Sequence, residues 1–411
     1  MAEQVNRRAF LEYAARTVAA GAVMGGLPLS ADERAAETQP AAEWRNKQPT
    51  MGYARLGRSG FMISRCVFGA GGLYGSGGDT RLLEIAIERG MNCIDTGRPY
   101  PQSEATISPV ARRHRERVWI ISKAGHIGWP DMRIKPGEGA EAAKLYTDQL
   151  DESLRELKVD TIDCYMIQGV EHEWVVTMDA LYEAFVKARK AGKVRYFGLA
   201  THTNVPKVCE LAAKSGRYDV VLLAVNPNNL TDLTPTIRLM REAGIGVISM
   251  KTSGPIAKDA KAFDGSYGQI FAGQELSPYQ RAYAYLLARG GIDAFNSHMP
   301  NQRILEENLA VPTLKLSEAE LNRLQRRTLA EARGVCHHCG SCGRACPEGI
   351  DVPGALRCYA YVHHYREPAW ARSMHETLRA GACRQCGACR SACPESIDLP
   401  AVVAGLRNAL A

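Results

Sequence analysis

Short β-branched runs alternate with amphipathic helical stretches along the middle of the chain, and this alternation constrains the fold more than any other feature. Eight candidate strands lie at 66–69, 93–95, 118–122, 162–167, 194–199, 220–225, 246–250 and 292–296. Helices are expected at 80–89, 104–114, 140–157, 179–191, 205–214, 234–242 and 278–288. Regular strand–helix alternation predicts an α/β fold with a parallel sheet, and eight strands favour closure into a (β/α)8 TIM barrel.

A doubly wound open sheet is the rival fold. Its dinucleotide-binding form needs a Gly-x-Gly-x-x-Gly turn at the first helix, and the chain offers only a Gly-rich turn at 69–72. The 411 residues leave room for a smaller module beside a barrel of about 250 residues. The formal net charge of +7 is spread along the chain, so nucleic acid is not an expected partner. No apolar run is long enough to predict a stable membrane span.

The predicted strand ends carry chemically active side chains. Asp95 ends the second strand and is followed by Tyr100, Lys123 ends the third, and Gln168 follows the fourth. Reactive groups of such barrels lie at the C-terminal ends of the strands. A lysine beside a phenol is expected to lower the phenol pKa from about 10, and a carboxylate would hold that lysine in place. Tyr100 is therefore predicted to donate a proton to a carbonyl oxygen that receives hydride.

These residues, taken together, resemble the aldo/keto reductase family. The resemblance runs from about residue 51 to 312 and includes Arg55–Gly60, Asp95-Thr96, Tyr100, Ser103-Glu104, Lys123 and Glu307-Asn308. It implies a small-molecule carbonyl or alcohol substrate, with Asp95, Tyr100 and Lys123 on three of four catalytic positions. Gln168 stands where the family normally has histidine. An amide can donate a hydrogen bond but cannot titrate, so we expect Gln168 to orient the substrate.

The same resemblance implies a nicotinamide dinucleotide across the barrel mouth. Lys251 lies in a Met-Lys-Thr segment similar to that of iron–sulfur members of the family, and Glu307 and Asn308 match positions that touch adenine. These three are the candidate cofactor-binding residues. Ala200-Thr201 replace the Ser-Asn pair that often binds the carboxamide. Arg303 lies near, but not on, the position that usually recognises a 2′-phosphate, so NAD and NADP both remain open. His126, His172 and His202 are interpreted as rim or structural histidines.

Eight of the 13 cysteines form two motifs offset by 47 residues. Each motif has the spacing Cys-x₂-Cys-x₂-Cys-x₃-Cys-Pro and continues as Cys-Pro-Glu-x-Ile-Asp-x-Pro. This spacing is typical of [4Fe–4S] ligation, in which three thiolates come from one motif and the fourth from the other. Two clusters are predicted, one on Cys336, Cys339, Cys342 and Cys393, the other on Cys383, Cys386, Cys389 and Cys346.

Two alternatives explain clustered cysteines differently. Zinc sites favour paired Cys-x-x-Cys units, and export would permit disulfides. The five other cysteines are interpreted as core residues. The tail, residues 316–411, is predicted to be a small, mainly helical ferredoxin-like domain after a barrel at 51–315, with a capping box at Ser317–Glu320. It resembles helical two-cluster modules of respiratory enzymes and the extension of iron–sulfur aldo/keto reductases.

The N-terminus resembles a twin-arginine export signal. Asn6-Arg7-Arg8 is followed by Phe10-Leu11 and a weakly apolar stretch, which predicts a signal peptide over 1–31 and a linker over 32–50. An amphipathic helix on the barrel is the alternative. The signal implies the twin-arginine translocase as a partner and a periplasmic or otherwise exported location. That route moves folded proteins, which suits an enzyme loaded with clusters before export.

Three functions fit these patterns. The first is an aldo/keto reductase-type oxidoreductase whose clusters exchange electrons with an external carrier. The second is an electron-transfer iron–sulfur protein on a catalytically altered barrel. In the third, the clusters only stabilise the fold.

Overall fold

The computed structural model describes residues 40–74, 80–128, 132–252, 275–331, 334–363 and 368–410. Residues 40–411 form one compact unit. The predicted signal peptide, 1–31, and the first part of the predicted linker, 32–39, lie outside the described residues. Over the ranges just given, no helix combines the length and the apolar character needed to cross a bilayer.

Eight parallel strands close into a barrel, which confirms the predicted fold. Two short strands precede them, β1 (Tyr53–Arg55) and β2 (Met62–Ser64). The barrel strands are β3 (Cys66–Gly69), β4 (Cys93–Asp95), β5 (Trp119–Ala124), β6 (Ile162–Ile167), β7 (Val194–Thr201), β8 (Val220–Ala224), β9 (Gly246–Met250) and β10 (Ala294–Ser297). Each pairs with its neighbour in chain order, and β10 closes on β3. The predicted boundaries differ from these by two residues at most.

The helices that surround the barrel pack their apolar faces on the outer side of the sheet. They are α1 (Arg81–Glu88), α2 (Ser103–Arg113), α3 (Gly139–Leu157), α4 (Glu173–Val176), α5 (Asp179–Lys190), α6 (Val205–Ser215), α7 (Leu230–Glu242), α8 (Pro278–Arg289) and α9 (Gln302–Ala310). Helix α7 begins four residues before its predicted start, because Pro235 lies inside the helix and not at its first position. Short 3₁₀ turns lie at Gly57–Ser59, Ala70–Tyr74 and Val311–Thr313.

A hairpin of β1 and β2 fills the N-terminal end of the barrel. Leu56 and Phe61 join the buried cluster inside the barrel, and the Phe61 ring stacks on Trp119 with centroids 4.3 Å apart. Gly57 between the strands has φ 49°, and a Cβ there would lie 2.3 Å from the backbone nitrogen of Gly246. Only glycine fits this approach. The hairpin therefore leaves the opposite rim, at the C-terminal strand ends, for chemistry.

The segment just before this hairpin is bound to the barrel, which corrects part of the predicted linker. Arg45 forms an ion pair with buried Asp163 at 3.1 Å, and Glu43 pairs with Arg195 at 2.5 Å. Asn46 Nδ2 donates to the carbonyl oxygen of Ile87 at 2.6 Å. These charged side chains bind barrel groups instead of water, so residues 43–46 belong to the barrel.

The chain beyond the barrel is mainly helical. It contains α10 (Glu318–Glu331), α11 (Ser341–Arg344), α12 (Val352–His363), α13 (Pro368–His375), α14 (Ala388–Ser391) and α15 (Leu399–Leu410), with 3₁₀ turns at Glu376–Leu378 and Ala380–Ala382. Ser317 Oγ accepts from the Glu320 backbone N–H at 3.2 Å, as a capping residue should. The Glu320 carboxylate pairs with Arg281 of α8. The second half of the predicted capping box is thus replaced by a contact to the barrel.

The two cysteine motifs fold alike. His338 and Gln385 both have positive φ, at 60° and 56°, and so do Gly340 and Gly387, at 74° and 80°. Asp351 and Asp398 each accept a backbone N–H three residues on, at the start of α12 and α15 respectively. The sequence repeat is therefore also a structural repeat, which we call the C-terminal repeat.

Candidate active site and cysteine sites

A buried ion pair lies at the C-terminal rim of the barrel. Lys123 Nζ donates to Asp95 Oδ1 at 2.5 Å and to the Thr96 carbonyl oxygen at 2.6 Å. Asn296 Nδ2 donates to the other carboxylate oxygen of Asp95 at 2.7 Å. The side chains of Lys123 and Asp95 are 0% and 5% exposed. Strands β4, β5 and β10 thus fix this pair from three directions.

Tyr100 lies beside this pair, but its pKa moves opposite to the prediction. Burial raises the pKa of Tyr100 well above its ordinary value of 10.0, and Asp95 and Tyr361 raise it further, while a hydrogen bond with Gln168 opposes them. Lys123 Nζ lies 5.2 Å from the centroid of the Tyr100 ring. The predicted lowering by Lys123 is wrong, because the ammonium group is committed to Asp95 and Thr96. Tyr100 stays protonated at neutral pH and is suited to donate a proton.

Several amide side chains at the same rim have a buried polar atom with no hydrogen-bond partner among the described residues. The atoms are Gln168 Oε1, Asn226 Nδ2, Asn228 Oδ1 and Asn296 Oδ1. These residues follow β6 and β8 or lie in β10. A buried polar atom without a partner is costly, and a polar ligand would satisfy it. This rim therefore fits a ligand that carries both hydrogen-bond donors and acceptors.

Each of the three candidate cofactor-binding residues has a hydrogen-bond partner of its own. Lys251 Nζ donates to Tyr361 Oη at 2.9 Å. Glu307 Oε2 accepts from Ser277 Oγ at 3.0 Å, and Asn308 Nδ2 donates to Ser297 Oγ at 3.0 Å. Glu307 and Asn308 are neighbours on α9, whereas Lys251 faces the chain beyond the barrel.

Helix α12 of that chain lies across the rim. Arg357, which is 2% exposed, donates to Glu171 Oε1 at 2.6 Å and to Thr203 Oγ1 at 2.7 Å. Tyr361 follows one turn later and reaches Lys251. Sequence reasoning missed Arg357 and Tyr361. The one available signal was an arginine in an otherwise apolar stretch of α12, which is unusual for a buried helix face.

The electrostatic environment under α12 is positive. Burial lowers the pKa of His202 well below 6.5, and Arg357 and Lys251 lower it further. Burial also raises the pKa of Glu171 above 4.5, in spite of the adjacent Arg357. His202 is therefore neutral at physiological pH.

The eight motif cysteines line two cavities in the arrangement predicted across the motifs. The first cysteine site consists of Cys336, Cys339, Cys342 and Cys393. The second consists of Cys346, Cys383, Cys386 and Cys389. In the described part of the chain, no three His, Cys, Asp or Glu side chains are placed to hold one single metal ion. The thiolates of a cubane each bind a different iron and need not converge on one point.

All thirteen cysteines lie within the described residues and are free thiols. Burial raises the pKa of Cys336 to about 12. Cys386 is the exposed member of the second site, whereas the first site is lined partly by Thr203 of the barrel rim. Each site thus brings four thiols together, three from one motif and one from the other, and these are the residues that could hold a cluster.

A family model described as "Aldo/keto reductase family" matches residues 79–327, which cover most of the barrel and end before the cysteine motifs. Among known proteins, an uncharacterized oxidoreductase, YqkF of Bacillus subtilis (strain 168), is 26% identical over 278 residues, 60% of this chain and 86% of that protein. Protein tas of Escherichia coli (strain K12) is 24% identical over 256 residues, 51% of this chain and 73% of that protein.

Solved structures share the barrel. An aldo-keto reductase from Bacillus halodurans matches with a TM-score of 0.56 at 19% identity, covering 67% of this chain and 96% of that one. At this identity the match supports the fold alone. The chain beyond the barrel must be interpreted from its own residues.

Proposed function

Because this chain belongs to the aldo/keto reductase family and is an oxidoreductase, we propose that it interconverts a small-molecule carbonyl and its alcohol at the rim and holds two [4Fe–4S] clusters in the C-terminal repeat. The observation that carries the proposal is the placement of Tyr100 beside the Asp95–Lys123 pair, with Gln168 bonded to the phenol. The first cysteine site adjoins this rim through Thr203.

In the reduction direction, Tyr100 donates its phenolic proton to the carbonyl oxygen. Asp95 and Lys123 hold the surrounding backbone and place a cation near the oxygen as negative charge develops there. Gln168 orients both the phenol and the substrate. Helix α12 covers the rim and excludes water, which strengthens these interactions. The product alcohol carries the proton from Tyr100, and the phenol regains a proton from solvent.

A nicotinamide dinucleotide, NAD or NADP, would supply hydride to the carbonyl carbon. The unsatisfied amides of Gln168, Asn226 and Asn296 suit its carboxamide, and Glu307 and Asn308 lie on α9, where the family resemblance places the adenine. Family membership supports this cofactor. Lys251 donates to Tyr361, so it would bind the dinucleotide only after this contact is released.

The two clusters would each supply or accept one electron, exchanged with an external carrier. Cys336, Cys339, Cys342 and Cys393 would hold the first, and Cys346, Cys383, Cys386 and Cys389 the second. The support is that each cavity gathers three thiols from one motif and the fourth from the other. This is the arrangement of ferredoxin-like two-cluster domains.

A second candidate function is electron transfer on a barrel that no longer binds a dinucleotide. The engagement of Lys251 by Tyr361 and the presence of Gln168 in place of histidine favour it. Dinucleotide affinity separates the two candidates, because only the first requires it.

The proposed domain order is a twin-arginine signal over 1–31, a barrel over 51–315 that also binds residues 43–46, and a ferredoxin-like domain over 316–411. The paired arginines Arg7 and Arg8 support export by the twin-arginine translocase to the periplasm or an equivalent exterior. The helical tail carries eight cysteines in two motifs, and the iron–sulfur clusters proposed there are assembled inside the cell. This supports folding before export.

Native mass spectrometry of protein purified without oxygen from the exported fraction tests this proposal. We expect a mature N-terminus near residue 31, the mass of two [4Fe–4S] clusters and a retained nicotinamide dinucleotide. A barrel that stays empty and shows no dinucleotide affinity would instead support the electron-transfer candidate. Protein without iron, or with zinc, would overturn the cluster assignment.

A further inference from the structure

The two cysteine sites are lined at matching positions of the repeat, and the first site has two additional lining residues that face the barrel. Every residue lining the second site has a counterpart 47 positions away that lines the first, including the pairs Pro353/Pro400, Leu356/Val403 and Glu395/Glu348. The first site has two additional lining residues, Thr203 and Arg357. The C-terminal repeat is therefore nearly symmetric, and its symmetry is broken where it meets the rim.

Arg357 is the charged part of this asymmetry. Its counterpart in the repeat is Ala404, on α15, which carries no charge. Arg357 is buried between the first cysteine site and the rim, where it binds Glu171 and Thr203. Arg357 and Cys336 line the same cavity, so the guanidinium charge lies close to a thiol of the first site.

A buried positive charge stabilises the reduced form of a nearby cluster, because that form carries one more negative charge than the oxidised form. Glu171 on the other side of the guanidinium opposes this effect. We propose that Arg357 raises the reduction potential of the cluster at the first cysteine site, and that Glu171 of the barrel rim counteracts it. The inference rests on the proposed function, in which the cysteines hold clusters.

The reduction potential of the cluster at the first cysteine site therefore depends on the charges of Arg357 and Glu171 beside the rim. The second site has Ala404 in place of Arg357. Its own arginine, Arg384, stands where the first site has His337, but the Arg384 side chain is 77% exposed and pairs with Glu348, so water screens its charge. Cys386 of the second site is also exposed, so this site faces solvent. The first cluster site is then the one that lies beside the barrel rim, and the second is the one that an external carrier reaches. Arg357 acts here through its charge, as a positioning and tuning residue, and does not contact the reacting atoms.

The test is a redox titration of the full-length protein with both clusters bound, followed by electron paramagnetic resonance without oxygen. Arg357→Gln is expected to lower the midpoint potential of one cluster and leave the other unchanged. Glu171→Gln is expected to raise the potential of that same cluster. Ala404→Arg, the mirror-image variant, is expected to raise the potential of the other one.

Arg357→Lys and the double variant Arg357→Gln/Glu171→Gln are the matched controls. Arg357→Lys keeps the positive charge, so the midpoint potential should stay close to that of the wild-type protein. The double variant removes the unpaired carboxylate that Arg357→Gln leaves buried. If Arg357 only stabilised the fold, Arg357→Gln and Glu171→Gln would act alike, and the opposite shifts would be absent.

Two failures are distinguishable. Wild-type protein that lacks two clusters would overturn the proposed function, and with it this inference. Wild-type protein with two clusters, whose potentials do not move in Arg357→Gln or Glu171→Gln, would overturn the inference alone. Should Arg357→Gln fail to fold, Glu171→Gln still decides the matter, because it preserves side-chain size.

Discussion

Lys123 Nζ lies 2.5 Å from Asp95 Oδ1, and neither side chain is reached by more than a trace of solvent. The pair joins adjacent strands β4 and β5 at the rim, and Asn296 of β10 binds the remaining carboxylate oxygen. A charge pair held in this way is rigid. It explains why Lys123 lies over the ring of Tyr100 without lowering the pKa of the phenol.

We expect Lys123→Met to lower the free energy of unfolding by about 3–5 kcal/mol, because it leaves the Asp95 carboxylate buried without its partner. Urea unfolding monitored by circular dichroism measures this change. The double variant Lys123→Met/Asp95→Asn removes both charges and should recover most of the loss. If the double variant is as unstable as the single one, packing and not charge pairing accounts for the effect.

Tyr100→Phe removes the proposed proton donor. Carbonyl reduction should fall by about 10²–10⁴-fold, the usual contribution of a general acid, while both clusters remain bound. Steady-state turnover and iron content measure the two effects. Tyr196→Phe, whose hydroxyl donates to the Ser59 carbonyl oxygen at the hairpin end of the barrel, serves as the control. Unchanged turnover in Tyr100→Phe would remove Tyr100 from the mechanism.

The raised pKa of Tyr100 predicts the pH profile of reduction. The reaction needs the protonated phenol, and a pKa above 10.0 keeps the phenol protonated through neutral pH. Activity should therefore be level around pH 7–9 and decline only as the pH rises above about 10. A descending limb near pH 7 would show that the phenol pKa is lowered and would restore the original prediction.

Tyr361→Phe releases Lys251 from its hydroxyl partner. If Lys251 binds the dinucleotide phosphates, the affinity for NADPH should rise by about tenfold, since a hydrogen bond to a charged group contributes about 1.5 kcal/mol. Fluorescence titration measures the dissociation constant, and Lys251→Met should weaken binding. If neither variant changes it, Lys251 plays no part in cofactor binding.

The cross-motif cysteine assignment predicts which double variants keep a cluster. Cys336→Ala/Cys393→Ala damages only the first site and should retain one cluster, whereas Cys336→Ala/Cys346→Ala damages both sites and should retain none. Iron and sulfide analysis measures the outcome. Cys358→Ala, a buried cysteine outside the motifs, should keep both clusters. The reverse pattern would mean that each motif binds its own cluster.

His202 predicts how stability depends on pH. Its pKa is lowered in the folded protein, so below about pH 6.5 the unfolded chain takes up a proton that the folded protein does not. The free energy of unfolding should therefore fall as the pH drops from 7 to 5, and His202→Asn should reduce that slope by about 1.4 kcal/mol per pH unit. An unaltered slope in His202→Asn would contradict the assignment.

The barrel and its rim residues were predictable because each depends on local pattern. Strand boundaries follow from β-branched runs, and Asp95, Lys123 and Gln168 are placed by the rule that strand ends share one rim. The hairpin of β1 and β2 was missed because strands of three residues give no periodic signal. The segment around Glu43 and Arg45 was predicted as a linker because its charges look solvated in isolation.

The contacts of α12 with the barrel could not be predicted. Lys251 and Tyr361 are 110 residues apart, and Arg357 and Glu171 are 186 apart. Nothing local in the sequence says which distant group a buried charge will meet. The direction of the Tyr100 pKa shift was mispredicted for the same reason, because it depends on which groups Lys123 binds.

The hairpin of β1 and β2, which is next to Phe61, closes the barrel at its N-terminal end. In the part of the chain that the structure describes, a reactant approaches Tyr100 from the side that α12 covers, and the product leaves by the way the reactant came. Reactant entry and product exit then use the same side of the barrel and cannot occur at the same time. The departure of one molecule then sets the earliest arrival of the next.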